Sequence, residues 1–310
     1  MKFFKILPLV ALVASLFLWK ACAALPADGD GTLAHHLATN ALARAGNLPG
    51  TFADEVEFHA PYVTNELQFA RFTNAVWADT FWLKGVTGLP ATPIGFTNLQ
   101  GGQGLPTMIS PRHYVCATHM HPEGYTFVFL DTNNAVYFRK SLQRLDVTND
   151  TSVGILDQDL PPSVGFLPVL PENFTNYLPT TLNSIIQGIG MDQGFYLFSE
   201  PMNFGQPPMV AWSSAVAVPG GLGTNWNVAI HAGDSSCPAM LLIGHQLVLV
   251  SHNYFVNGGP NYALQIPAIN RTMHELSQKN RAGSEYQLTE FSLTNWPRVV
   301  GGSSGRETSR

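Results

Sequence analysis

Ser235 lies in a stretch whose residue types suit nucleophilic chemistry, Gly233-Asp234-Ser235-Ser236-Cys237-Pro238. A serine hydroxyl is a weak nucleophile by itself, so it needs a base to take its proton and N–H groups to hold the oxyanion that forms. Two suitable partners precede it, His119 in Val-Cys-Ala-Thr-His and Asp150 in Asn-Asp-Thr-Ser-Val. His119 would act as general base and then general acid, with Asp150 orienting its ring. The sequence therefore predicts acyl transfer by a His-Asp-Ser triad.

Strand-like segments must position these three side chains, and each of the three lies beside one. The segments are His113–Ala117 before the histidine, Thr151–Leu156 after the aspartate, and Met240–Ile243 with Leu247–Val250 after the serine. Two more pairs of runs read as hairpins: Leu105–Ile109 with His113–Ala117, and Tyr125–Leu130 with Ala135–Arg139. Frequent glycine and proline, 28 and 22 of 310 residues, favour short strands joined by turns. We also expect a short helix within Gly31–Gly46 and a longer one at about Ile266–Gln278.

Three segments together resemble the chymotrypsin-like (trypsin-like) serine protease family. Gly233–Pro238 is similar to the family's Gly-Asp-Ser-Gly-Gly-Pro motif, and the strand pair ending at His119 is similar to the one that ends in Ala-Ala-His. Asn149–Leu156 is similar to the family's Asn-Asp-Ile-x-Leu-x-x-Leu segment, and the chain order His, Asp, Ser is the family's order. The resemblance covers roughly residues 90–280.

The fold that this resemblance implies is all-β, with two packed antiparallel β-barrels, a C-terminal helix and an N-terminal extension. The expected divisions are a signal peptide (1–23), a partly helical extension (24–85), a first barrel with the histidine and aspartate (86–180), a second barrel with the serine and the helix (181–298), and a disordered tail (299–310). The extension has no counterpart in the family, and a propeptide, a structural collar and a lid all remain possible for it.

The resemblance also implies residue roles around the serine. The peptide N–H groups of Gly233 and Ser235 would form the oxyanion hole. Ala229, six residues before the serine, would lie at the base of the specificity pocket, and Ser251 and Asn253 would contribute to its wall. With no acidic residue at position 229, we expect a preference for small or apolar residues before the scissile bond; rapid cleavage after lysine or arginine would contradict it.

Two departures from the family pattern open an alternative function. Ser236 stands where the family usually has glycine, and Cys237 where a second small residue is common. A side chain at position 236 could crowd the leaving-group side or distort the oxyanion turn. The alternative is therefore a catalytically inactive relative that acts as a binding module through the same cleft, although such a protein would have no need to keep all three triad residues.

Two further readings concern residues near the triad. Asp146, four residues before Asp150, is the rival orienting carboxylate, and Asp150 is favoured because the apolar strand begins directly after it. The His119-Met120-His121 spacing resembles part of a metal-binding motif, but the third and fourth ligands that zinc needs are missing at short spacing. We expect no metal and no cofactor.

Composition and the first residues bear on location and partners. Lys2 and Lys5, the apolar run Leu7–Trp19 and the small residues Ala21-Cys22-Ala23 read as a signal peptide for a secreted or periplasmic protein. The formal charge of −5, without a basic cluster, argues against nucleic acid as a partner. We expect a protein or peptide substrate and no stable membrane association after signal cleavage; the oligomeric state stays open.

Export permits disulfides, and Cys116 and Cys237 would remain in the mature chain. Each is close in sequence to a triad residue, so the two thiols would be neighbours if the motifs meet. A bridge between the histidine strand and the serine loop and a pair of buried thiols are equally compatible with the sequence, because sequence does not give the Cα separation that a bridge requires.

Overall fold

The fold is given by a computed structural model. It describes residues 31–45, 62–63, 75–97, 104–179, 181–182, 185–189, 194–198, 202–211, 232–254 and 258–299. The expected signal peptide (1–23) and nearly all of the expected tail (299–310) lie outside these residues, as does Ala229.

Short strands make up most of the regular structure, as the glycine- and proline-rich composition predicts. In chain order they are β1 (Tyr62–Val63), β2 (Val76–Trp77), β3 (Gly95–Phe96), β4 (Thr107–Met108), β5 (His113–Ala117), β6 (Thr126–Leu130), β7 (Val136–Thr148), β8 (Thr151–Leu156), β9 (Thr181–Leu182), β10 (Ile185–Ile189), β11 (Gly194–Phe198), β12 (Met202–Gln206), β13 (Met209–Ala211), β14 (Pro238–Ile243), β15 (Gln246–His252) and β16 (Gly258–Pro260). The helices in the described residues are α1 (Leu33–Ala45) and α2 (Ile266–Lys279), with short 3-10 turns at Leu89–Ala91, Phe174–Asn176 and Tyr262–Gln265.

The first six-stranded sheet has the order β3-β6-β7-β8-β5-β4 with antiparallel neighbours, and it curls into a half-barrel. Both expected hairpins in this region are confirmed. In the β6–β7 turn, the carboxylate of Asp131 accepts the backbone N–H groups of Asn133 and Ala135 at 2.8 Å each. This is the turn chemistry for which aspartate is favoured.

Strand β7 is much longer than the sequence pattern predicted, because it continues through the polar segment 140–148. Only one residue of this strand, Ser141, is fully buried, so the segment lacks the apolar run by which a strand is recognised. Register shifts at Ser141/Gln143 and Asp146/Thr148 bend its pairing with β8. This extension carries Arg144 and Asp146 toward the loop after His119.

The second half contains two four-stranded sheets, β11-β10-β14-β15 and β16-β13-β12-β9. The predicted hairpin β14–β15 is confirmed, and it turns at Gly244, whose φ of 61° is in the left-handed region. All six side chains of β14 are buried, which explains its continuous apolar sequence. Ser235 lies three residues before the first residue of β14, and Gly244 directly follows its last residue, so the two are near opposite ends of this strand.

Helix α2 confirms the predicted apolar face, since Ile266, Ile269, Met273 and Leu276 are all buried. The helix packs against β7 and β8, so it covers the first sheet although it follows the second half in sequence. His113 fixes this contact: its two ring nitrogens bond to Ser110 and, at 3.2 Å, to Ser277 of the helix.

Helix α1 braces the far end of the serine hairpin. Leu33 and Leu37 are buried with apolar residues of the second half. Asn40 donates to the Gly244 carbonyl at 2.9 Å, and His36 Nε2 accepts the Gly244 N–H at 3.0 Å. Strand β14 spans roughly 20 Å at about 3.3 Å per residue, so α1 lies well away from Ser235. The role of the extension, as a propeptide, a collar or a lid, stays a prediction.

The architecture is therefore mostly β with a C-terminal helix, as predicted from composition and pattern. Within the described residues, neither helix is long and apolar enough to cross a membrane.

Candidate functional site

Asp150 lies in the two-residue turn between β7 and β8. Asn149 and Asp150 have φ values of 49° and 56°, and they connect the paired residues Thr148 and Thr151. Two successive residues with positive φ are typical of the type I′ hairpin turn, and asparagine and aspartate tolerate this conformation better than most residues. The local sequence thus explains why the chain turns here and why the aspartate stands at the tip.

Asp150 holds His119 by two contacts. One carboxylate oxygen is 2.8 Å from His119 Nδ1, and the other accepts the His119 backbone N–H at 3.2 Å. The Asp150 side chain is 13% exposed, whereas the His119 side chain is 47% exposed. A carboxylate at Nδ1 stabilises the tautomer with the proton on Nδ1, which leaves Nε2 as the nitrogen that can accept a proton at the solvent-facing side.

The rival aspartate, Asp146, has different partners. It accepts hydrogen bonds from Arg144 at 2.5 Å and from Ser152 at 2.8 Å, and it is 64% exposed. Of these two carboxylates, Asp150 is the one that contacts His119, and its role as the orienting carboxylate stays a prediction. His121 Nδ1 likewise bonds to Arg144, at 2.9 Å, although His121 is only two positions after His119.

Ser235 lies in a tight turn whose carbonyl-to-amide bond runs from Asp234 to Cys237 at 3.1 Å. Ser236, the third residue of this turn, has a φ of 78°, and Gly233 just before the turn has a φ of 112°. A type II turn requires positive φ at its third residue, where glycine is usual. The conformation explains why a glycine is expected at 236 in the resembled motif, and a serine occupies it here.

The Ser236 side chain points into the protein interior. It is buried, and its hydroxyl accepts the backbone N–H of Ala117 at 2.8 Å. The Ser236 N–H in turn donates to the Asn253 carbonyl at 3.0 Å. Ser236 therefore ties the serine turn to the strand that leads into His119.

We expect replacement of Ser236 to lower the free energy of unfolding. Ser236→Ala leaves the buried Ala117 N–H without its acceptor, which typically costs about 1–3 kcal/mol. Ser236→Gly loses the same bond but relieves the positive φ, so it should be more stable than the alanine variant by about 1 kcal/mol.

Urea unfolding under reducing conditions measures this difference. Ser235→Ala is the matched control, because it removes the neighbouring hydroxyl without removing the bond to Ala117, and its midpoint should equal that of the wild type. Equal midpoints for all four proteins would show that the Ser236 hydroxyl contributes nothing to stability.

The hydrogen bond between Ser236 and Ala117 brings Ser235 and His119 close to each other, because Ser235 is next to Ser236 and His119 is two residues after Ala117. In the described part of the chain, no hydrogen bond links the Ser235 hydroxyl to the His119 ring. Catalytic hydrogen bonds in sites without substrate are often long, and they tighten when substrate binds. The turn also depends on Gly104, because a Cβ there would lie 1.6 Å from the Ser235 carbonyl oxygen.

The proposed disulfide does not form in this structure, in which Cys116 and Cys237 are separate buried thiols. Their surroundings differ, because Cys116 packs in the apolar core of the first sheet while Cys237 Sγ accepts the Leu105 N–H at 3.4 Å. Burial raises the pKa of the Cys116 thiol well above its ordinary value. The contact that joins the two motifs is made by Ser236 and Ala117, which are the sequence neighbours of the two cysteines.

Two of the three residues predicted for substrate binding lie within the described part of the chain. Ala229 lies outside the described residues, while Ser251 and Asn253 are both buried. Gly259 lies against the backbone of this segment, since a Cβ at position 259 would lie 1.8 Å from the His252 carbonyl oxygen. The side chain that does reach solvent here is Tyr254, which is 42% exposed, with its ring centroid 6.2 Å from that of His119. The roles of Ser251 and Asn253 stay predictions.

His252 lies between Ser251 and Asn253, in the segment that the resemblance places in the wall of the specificity pocket. It is fully buried, its Nδ1 bonds to the hydroxyl of the buried Tyr262, and burial lowers its pKa to about 3. The Asp150 backbone opposes this lowering, although Nε2 makes no hydrogen bond of ordinary geometry. The His252 ring is therefore neutral near pH 7 and adds no positive charge near His119.

Within the described residues, no group of three or more histidine, cysteine, aspartate or glutamate side chains could hold a metal ion. The side chains of His119 and His121 do not share a partner, because His119 contacts Asp150 and His121 contacts Arg144. The chain matches no known protein-family model and no curated protein sequence.

Proposed function

We propose that the protein is an exported serine endopeptidase that hydrolyses peptide bonds through an acyl-enzyme formed on Ser235. The observation that carries this proposal is the 2.8 Å contact between His119 Nδ1 and the Asp150 carboxylate. It fixes the imidazole in the tautomer that a general base needs, on a loop that is tied to the serine turn. The proposal includes the finer fold, in which the first sheet and the sheets of the second half are two packed β-barrels.

The reaction follows from these roles. The Ser235 oxygen attacks the substrate carbonyl while His119 Nε2 takes its proton, and Asp150 stabilises the imidazolium that forms. The N–H groups of Gly233 and Ser235 hold the oxyanion. His119 then passes the proton to the leaving amine, and water, activated by the same ring, releases the acid product and restores the Ser235 hydroxyl.

The turn geometry supports this assignment of the oxyanion donors. Positive φ at Gly233 and at Ser236 marks a sharply turned backbone on both sides of the serine. Such a conformation can direct successive N–H groups to one point, which is what an oxyanion hole requires. The exposed ring of Tyr254 beside His119 supports an apolar contact for the substrate next to the scissile bond.

Labelling with a fluorophosphonate probe tests the proposal on the purified protein. The wild type should be labelled, Ser235→Ala should abolish the labelling, and His119→Ala should slow it by about 10⁴-fold or more. The matched controls are Ser292→Ala and His274→Ala, which remove exposed residues of the same types elsewhere on the surface.

The outcomes separate the two functions considered from the sequence. Labelling of the wild type that only the two triad variants lose supports the endopeptidase. A folded wild-type protein that is not labelled contradicts it and favours the binding module, in which Ser235 is never activated because it lacks the bond to His119.

A further inference from the structure

His119 lies in a loop that is held on both sides by one buried cation. The residue before it, Thr118, bonds through its hydroxyl to Ser152 at 2.9 Å, and Ser152 accepts a bond from Arg144 at 2.5 Å. Two residues after it, His121 Nδ1 bonds to the same guanidinium at 2.9 Å. His119 thus stands between two points that are both fixed to Arg144.

Arg144 is well suited to this role by its burial and by its partners. Its side chain is only 7% exposed, although it lies on the polar extension of β7. Its Nε bonds to the Glu123 carboxylate at 2.8 Å, and its Nη1 to Asp146 at 2.5 Å. Two carboxylates therefore contact the positive guanidinium. Its planar fork also directs separate N–H groups to the strand and to the loop.

The other contacts of this loop include the two bonds of His119 to the Asp150 carboxylate and bonds along the backbone. Thr118 donates its N–H to the Asp150 carbonyl at 2.9 Å, and Met120 closes a turn onto Ala117 at 3.1 Å. His119 and His121 are both exposed. A displacement of this loop by 1 Å would change the His119–Asp150 contact, and misplacement of that size costs about 10²-fold in rate.

We propose that Arg144 is a positioning residue that holds the His119 loop from β7, and so sets the imidazole against Asp150 and toward Ser235. Arg144 touches neither the reacting atoms nor His119 itself, so it acts through Thr118, His121 and Glu123. The effect on catalysis rests on the proposed function, whereas the effect on the geometry of His119 does not.

A matched pair of buried arginines allows a direct test. Arg144→Met keeps the length of the side chain and removes its donors. Arg112→Met does the same to an arginine that is 12% exposed and bonds to the carbonyls of Leu156, Asp157 and Ala282, at the opposite end of β5. Both variants lose buried hydrogen bonds, but only one of them loses contacts to the His119 loop.

The first readout is the low-field proton resonance of the His119 Nδ1–H bonded to Asp150, assigned by its loss in His119→Ala. The second is the second-order rate constant of fluorophosphonate labelling. In Arg144→Met we expect the resonance to broaden or shift and labelling to slow by roughly 10- to 100-fold. In Arg112→Met both should equal the wild type. Arg144→Lys should restore labelling only in part, because a single ammonium cannot replace the planar fork.

An Arg144→Met protein that is folded and keeps both the resonance and the labelling rate overturns the proposal. Equal changes in Arg112→Met would also overturn it, because they would show a general loss of stability. If the wild type itself is not labelled, the proposed peptidase function fails, and the resonance alone still decides the role of Arg144.

Discussion

Asp150→Asn is expected to slow fluorophosphonate labelling by about 10⁴-fold while the protein stays folded. An asparagine amide would donate to His119 Nδ1, so the ring proton would move to Nε2 and the ring could no longer accept the proton of Ser235. The substitution suits this position, because Asp150 has a φ of 56° and asparagine adopts positive φ readily. Alanine there would confuse backbone strain with the loss of the carboxylate.

Asp131→Asn is the matched control for this variant. Asp131 is also a turn carboxylate of the first sheet, and it accepts two backbone N–H groups in the β6–β7 hairpin. We expect Asp131→Asn to lower stability without changing the labelling rate per folded molecule. A labelling rate in Asp150→Asn within a few-fold of the wild type would show that Asp150 does not orient the base.

Gly104→Ala is expected to have the second large effect, a loss of labelling by about 10²-fold or more. The new Cβ would lie 1.6 Å from the Ser235 carbonyl oxygen and 2.9 Å from the Asp234 carbonyl carbon. All of these neighbours are backbone atoms, so the serine turn itself must move. The next residue, Leu105, donates its N–H to Cys237 Sγ, which holds the same two segments together.

Gly244→Ala provides the comparison for this effect. It introduces strain, because Gly244 has a φ of 61°, but a Cβ there meets no atom within 4 Å. It lies at the far end of β14 from the serine, and it should cost about 1 kcal/mol of stability with normal labelling. If Gly104→Ala is labelled as fast as Gly244→Ala, then the contact of Gly104 with the serine turn has no effect on catalysis.

Much of the first sheet could be predicted because its signals are local. The β6–β7 hairpin has an aspartate and two asparagines in its turn. Helix α2 has apolar residues at helical spacing, and they are buried as expected. In each case the residues that decide the conformation are within a few positions of one another.

Segments without such a pattern were missed. The polar half of β7 forms a strand only because β8 and α2 pair with it or pack against it, and strands β10 and β12 were not recognised in the second half. The long β7 in turn places Arg144 beneath the His119 loop. An arginine among other polar residues gave no indication that its side chain would be covered and would contact two carboxylates.

By itself, the sequence determined the residue types that can do the chemistry, their order, and the turns and strands next to them. It favoured Asp150 over Asp146, because the apolar strand begins directly after Asp150. The tertiary structure decided which partners these side chains have. It places Asp150 on His119, turns Asp146 to Arg144, leaves Cys116 and Cys237 unbridged, and gives Ser236 a structural role. The physical reason is that hydrogen bonds between distant segments depend on strand register and side-chain packing, which local sequence patterns do not specify.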